Sequence, residues 1–171
     1  MPIQRLNHAV LHVRDVSKAV AFYTDVLGFR VTAEMSGRAA FLQAAGSTND
    51  HDLGLFAMGP QAAESPAGRT AVGLYHLAWE VDTLGELRNT RAKLVEHGAL
   101  VGESDHGTTK ALYARDVDGI EFEVCWLVPA DQLTDELRAF TGSKPLDLDA
   151  EIAGYGADRR GGVGVSVPAS S

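Results

Sequence analysis

The sequence predicts an α+β fold: two tandem βαβββ modules whose strands form a curved mixed sheet around a cleft. Three observations predict it. The order strand, helix, strand, strand, strand occurs twice. Matching landmarks recur at a nearly constant spacing. An aperiodic stretch bearing Pro and Gly separates the two halves.

Taken in order, residues 6–14 are β-rich, with His8, Val10 and His12 on one face. Asp15 or Ser17 can cap a helix over about 16–27, with an apolar stripe of Val16, Val20, Tyr23 and Leu27 and a stop at Gly28. Strands are expected at 29–34, 39–44 and 51–57. Residues 58–73 read as the linker. The order then restarts with a strand at 75–81. Thr83 and Glu86 form a capping box that opens a helix to about His97, with Leu84, Leu87, Leu94 and Val95 inward and Gly98 as terminator. Strands follow near 100–103, 111–115 and 120–127.

The halves echo each other. Asn7-His8 to Val13 matches Tyr75-His76 to Val81 at a shift of 68, and Leu27-Gly28 matches His97-Gly98 at a shift of 70. Each module alone leaves a sheet face uncovered, so the two are expected to pack together as one domain over 1–140. Its modules are about 1–58 and 72–128, joined by a linker at 59–71. Residues 129–140 are expected to form a short amphipathic helix. From Thr141 to Ser171 an extension turns polar and Gly-rich, partly flexible, with about its last ten residues loose.

Residues 112–123 concentrate the polar chemistry. Asp116-Val117-Asp118-Gly119 reads as a hairpin turn, with Gly119 supplying the left-handed residue. A three-residue loop from Val117 to Gly119 makes Asp116 face Ile120 and sets Tyr113 opposite Glu123 on one sheet face.

A net charge of −8 and a pI near 5.1 argue against nucleic acid or an anionic membrane as partner. No apolar run approaches the roughly 20 residues of a membrane span, and the start has no secretory signal, so a cytoplasmic location is expected. Cys125, the only cysteine, excludes a disulfide framework and a thiolate cluster. It sits in an apolar strand and reads as an inert buried thiol.

His8 and His76 occupy equivalent places on the first strand of each module, and Glu123 lies on the last strand. Two imidazoles and one carboxylate on one side of an ion make the facial triad, which leaves positions open for substrate and oxygen. His12 shares the face of His8 and is the rival ligand. His97 closes a helix, where a cation suits the dipole. Trp79, Trp126 and Phe22 read as core.

At His8-Ala-Val-Leu-His-Val-Arg-Asp15, Phe22-Tyr-Thr-Asp-Val-Leu-Gly-Phe29, His76-Leu-Ala-Trp-Glu-Val81 and Asp116-Val-Asp-Gly-Ile-Glu-Phe-Glu123 the chain resembles the vicinal oxygen chelate superfamily. That group includes glyoxalase I, fosfomycin-resistance enzymes, bleomycin-binding proteins and extradiol dioxygenases. The resemblance implies a metal-binding cleft with His8, His76 and Glu123 as ligands. It also implies iron(II), or manganese(II), as the metal. The strand at 52–57 lacks the extra Glu or Gln by which glyoxalase I completes a four-ligand site.

His51-Asp52-Leu53, Tyr113 ten residues before Glu123, and His106-Gly107 are similar to the one-domain extradiol ring-cleaving dioxygenases. This implies cleavage of a small catechol with O2, as in aromatic catabolism. In that reading Tyr113 bonds the bound catecholate oxygen, His51 supplies a proton, and His106 donates to substrate or orients its neighbours. A homodimer is expected. The chain departs from the group in having Val117 where Pro is usual, a longer linker before His76, and the extension after 140. A metal-dependent transferase or lyase of the fosfomycin-resistance type, or a non-enzymatic small-molecule binder of the bleomycin-resistance type, remains as an alternative.

Overall fold

The computed structural model describes residues 2–3, 5–67 and 70–162. The chain divides into two units: residues to Pro66 together with Asp116–Ile120, and Ala67–Arg115 together with the residues from Glu121 onward.

The first unit runs β1 (Ala9–Val13), α1 (Val16–Leu27), β2 (Arg30–Met35), β3 (Ala39–Gln43) and β4 (Leu53–Ala57), a mixed sheet of order β1-β4-β3-β2. β1 lies parallel to β4, with Ala9 opposite Leu53, and the other pairs are antiparallel. In β1 the odd residues Leu11 and Val13 are buried while Val10 and His12 are exposed, the period of two that the sequence displays. Asp15 caps α1 by accepting from the Lys18 N–H at 3.1 Å, and Gly28 ends it in the left-handed region (φ 70°). The buried stripe of α1 is Val16, Ala19, Phe22, Tyr23 and Val26. Val20 and Leu27, expected inward, sit on its shoulders: the stripe turns by a residue because Phe22 offers more apolar surface than Val20.

The second unit repeats the pattern as β5 (Leu77–Glu80), α2 (Leu84–Glu96), β6 (Leu100–Asp105), β7 (Thr109–Arg115) and β8 (Glu121–Leu127), in the order β5-β8-β7-β6. β5 is parallel to β8, with Leu77 opposite Phe122. Thr83 accepts from the Glu86 N–H at 3.1 Å, as the capping box requires. Leu84, Leu87 and Leu94 are fully buried, whereas Val95 is 54% exposed. Phe122, Val124 and Trp126 face the core from β8, while Glu121 and Glu123 lie on its other side, half-buried.

Two expectations need correction. Residues 129–140 do not make one helix: Ala130–Gln132 is a single 3-10 turn, and a separate helix α3 (Asp135–Ala139) follows, capped by Thr134. The extension holds a further helix, α4 (Leu148–Tyr155), capped by Asp147. It packs on α2 with Tyr155 set 5.3 Å from the buried Trp126. Beyond it, Gly161 lies tightly on Trp126 and Leu127, a contact that leaves no room for a β-carbon. The stretch expected to be loose falls mostly on residues 163–171, which lie outside the described residues. Among the described residues no helix is long and apolar enough to cross a membrane.

Candidate functional site

His8 immediately precedes β1, and His76 immediately precedes β5, so the two imidazoles hold equivalent positions in the two repeats. In the first unit the His8 ring is exposed and its Nδ1 lies 2.8 Å from Asn7 Oδ1. An amide oxygen only accepts, which puts the proton on Nδ1 and leaves the Nε2 lone pair free to bind an electrophile. His51 stands beside it, two residues before β4, with ring centroids 4.7 Å apart. Its Nδ1 is 3.1 Å from Asp50, whose carboxyl the His51 backbone N–H and then its ring hold below the usual range. Asp50 therefore orients the ring, a role sequence reading missed.

Val10, Phe41 and Phe56 gather over the glycine of β4, with atoms 3.4–3.7 Å from where a β-carbon on Gly54 would stand. Phe41 also meets His51 edge-on at 5.0 Å. The result is an apolar surface next to two imidazoles. Neither aromatic stands out in the sequence, because a strand Phe is usually core.

In the second unit Tyr113 and Glu123 are direct cross-strand partners, the register the hairpin count predicts. His76 Nε2 is 3.2 Å from Glu123 Oε2. Adjacent donors about 2.1 Å from one ion at a right angle stand roughly 3 Å apart, so this pair fits two positions on a metal. The Nδ1 of His76 is buried and has no hydrogen-bond partner among the described residues. Tyr75, not singled out in the sequence, lies tilted against His76 with ring centroids 4.8 Å apart.

His106 follows β6 and places Nε2 2.9 Å from the Tyr113 hydroxyl. Burial first, and then the charge of Glu123, raises the Tyr113 pKa, so it remains a neutral phenol. Cys125, next but one to Glu123, is pushed up to about 12 by burial and then by Glu123 and Glu80. It is the inert thiol expected.

His8 and His51 thus share the first unit, and His76, Glu123, Tyr113 and His106 form one cluster in the second. Among the described residues no three His, Cys, Asp or Glu side chains are gathered closely enough to hold a metal ion. Superposing the repeats, Ala9 on Leu77 and Leu53 on Phe122, sets Gly54 where Glu123 stands. The first half lacks the carboxylate that its sister strand carries.

Comparison with known proteins agrees with this architecture. Residues 5–124 match the model of the Glyoxalase/Bleomycin resistance protein/Dioxygenase superfamily. The chain is 34% identical over 119 residues to a catechol-2,3-dioxygenase of Bacillus subtilis, covering 70% of this chain and 40% of that protein. It is 32% identical over 138 residues to biphenyl-2,3-diol 1,2-dioxygenase 3 of Rhodococcus globerulus, covering 78% and 70%. The chain therefore spans less than half of the Bacillus relative. Among solved structures, a glyoxalase/dioxygenase from Nostoc punctiforme shares the fold, with a TM-score of 0.58, 22% identity, and coverage of 71% of this chain and 90% of that one.

Proposed function

This chain belongs to the Glyoxalase/Bleomycin resistance protein/Dioxygenase superfamily, and on that premise we propose that it is an iron(II)-dependent extradiol dioxygenase acting on a small catechol. The observation that carries the reading is the Tyr113–Glu123 cross-strand pair, with His76 against the carboxylate and His106 against the phenol. The relatives named for catechol and biphenyl-diol cleavage, at 34% and 32% identity, support it.

In this proposal His8, His76 and Glu123 hold the metal; manganese(II) suits the same donors. The bound ion would lower the pKa of the substrate hydroxyls and bring ring and O2 to one centre. The protein does the rest. Tyr113, kept neutral, hydrogen-bonds a substrate oxygen, and His106 fixes the direction of its hydroxyl. His51, oriented by Asp50, exchanges a proton through its Nε2. Val10, Phe41 and Phe56 present a surface suited to the edge of an aromatic ring and exclude water from it. We place the working protein in the cytoplasm as a homodimer, with residues 1–140 as its catalytic domain.

The test is direct. Protein reconstituted with iron(II) without air is given a panel of catechols, and oxygen is then admitted. Oxygen uptake with yellow ring-opened product is expected. No uptake across the panel from protein that retains manganese or zinc would overturn the proposal in favour of a transferase or lyase. Metal-free protein that binds a bulky ligand would overturn it in favour of a binder.

A further inference from the structure

The turn after β6 carries His106, and the C-terminal extension holds that turn in place. Asp105, 1% exposed, exchanges backbone hydrogen bonds with Lys144 in both directions, at 2.8 and 3.0 Å. Its carboxylate also receives Lys110 Nζ at 2.8 Å, the Gly107 N–H at 2.7 Å and Lys144 Nζ at 3.2 Å. Lys110 is 2% exposed, and an ammonium that deep needs its charge matched. Glu151 on α4 provides the second carboxylate, at 3.1 Å. Phe140 closes over Gly107, whose φ of +77° favours glycine and whose β-position already lies 3.0 Å from the Phe140 ring.

The same segment reaches the imidazole. His106 Nδ1 lies 3.4 Å from the Gly142 carbonyl, and Nε2 lies 2.9 Å from the Tyr113 hydroxyl. A carbonyl only accepts, so a ring that bonds Gly142 carries its proton on Nδ1 and turns the Nε2 lone pair to Tyr113. Tyr113 must then donate its hydroxyl proton to His106, which leaves its oxygen lone pairs for a substrate O–H.

We infer that the C-terminal extension is a positioning element of the site: the Gly142 carbonyl sets the His106 tautomer, and the Lys144–Asp105–Lys110–Glu151 chain holds the turn. Tyr113 is thereby presented as an acceptor to a hydroxylated ligand. The part played by Tyr113 toward substrate rests on the dioxygenase reading; the tautomer does not.

The experiment uses the full-length, metal-free, nitrogen-15-labelled protein and reads the His106 ring nitrogens by two-bond proton–nitrogen spectra. The native protein is expected to show Nδ1 protonated. Glu151→Gln and Lys144→Met each weaken the clamp without emptying a core position. Each is expected to shift His106 toward a tautomer mixture and, in the iron-loaded enzyme, to lower kcat by about tenfold with KM within about twofold. A native ring protonated at Nε2 overturns the inference, as do native spectra and native kcat in both variants. Protein inactive on every catechol that still shows the Nδ1 pattern, lost in the variants, sinks the dioxygenase reading while upholding the positioning role.

Discussion

Asp116→Ala is predicted to destabilise the protein by about 2–4 kcal/mol, because three donors end on that one carboxylate. The Tyr23 hydroxyl donates to Oδ2 at 3.0 Å, and the Asp118 and Ile120 N–H groups donate to Oδ1 at 2.9 Å each. A buried donor left without an acceptor costs about 1–3 kcal/mol. Tyr23, at 1% exposure, bears the full penalty, whereas the two loop amides can recover water, which sets the total. Asp116→Asn keeps an acceptor for both amides but turns an N–H toward Tyr23, whose hydroxyl proton then loses its acceptor, so it should cost about 1–3 kcal/mol and less than Ala.

The pH dependence separates the two effects. Burial, against the opposing pull of the Ile120 and Asp118 N–H bonds, raises the Asp116 pKa. The folded state therefore holds that proton more tightly than the unfolded state does. Its contribution is fully present below the unfolded value of about 3.9 and is lost as pH rises through the raised folded value. The Asn variant should lack this decline. Guanidinium unfolding followed by tryptophan fluorescence between pH 4 and 7 measures both. An Ala variant within 1 kcal/mol of the native protein, or an Asn variant as unstable as Ala, would refute the reasoning.

Other perturbations reach the site and the extension. Glu123→Ala should lower metal affinity at least about a hundredfold while the fold survives, read by metal analysis after dialysis and by circular dichroism. His51→Ala should keep the metal yet lower kcat by about 10²–10⁴; loss of the metal would contradict a proton-transfer role. Cys125, buried and with its pKa near 12, should react with a thiol reagent at pH 8 only after denaturation. Gly161→Ala should cost about 1–3 kcal/mol, since its β-carbon would fall 2.5 Å from Leu127 O and 2.6 Å from Trp126 Nε1.

The repeat was legible because its signals are local. Asp15 and Thr83 cap, Gly28 and Gly98 stop, and β-rich runs lie at matching distances. The Tyr113–Glu123 register followed from one turn, since a three-residue loop closed by Gly119 admits only one count outward. The extension was not legible in this way. α4 is short and shows no strong periodicity; beyond the Asp147 cap, what holds it is its packing on α2, with Leu148 buried and Tyr155 beside Trp126, contacts that local rules do not announce. Asp50, Tyr75 and Gly142 escaped notice for a related reason. An exposed acid, a strand-end phenol and a loop carbonyl acquire meaning only from the rings that the fold sets against them.

Gly54 bears on how such a duplicated scaffold can change trade. A carboxylate there would give the first half the donor that its twin already owns, and a single codon change would supply one. Val10, Phe41 and Phe56 stand at ordinary contact distance, 3.4–3.7 Å, from the Gly54 β-position, so a β-carbon fits there and it is the carboxylate beyond it that would enter their apolar surface. An acid at this place would set its charge in the apolar floor beside His8 and His51, so chemistry that needs the floor and chemistry that needs the extra acid compete in this half.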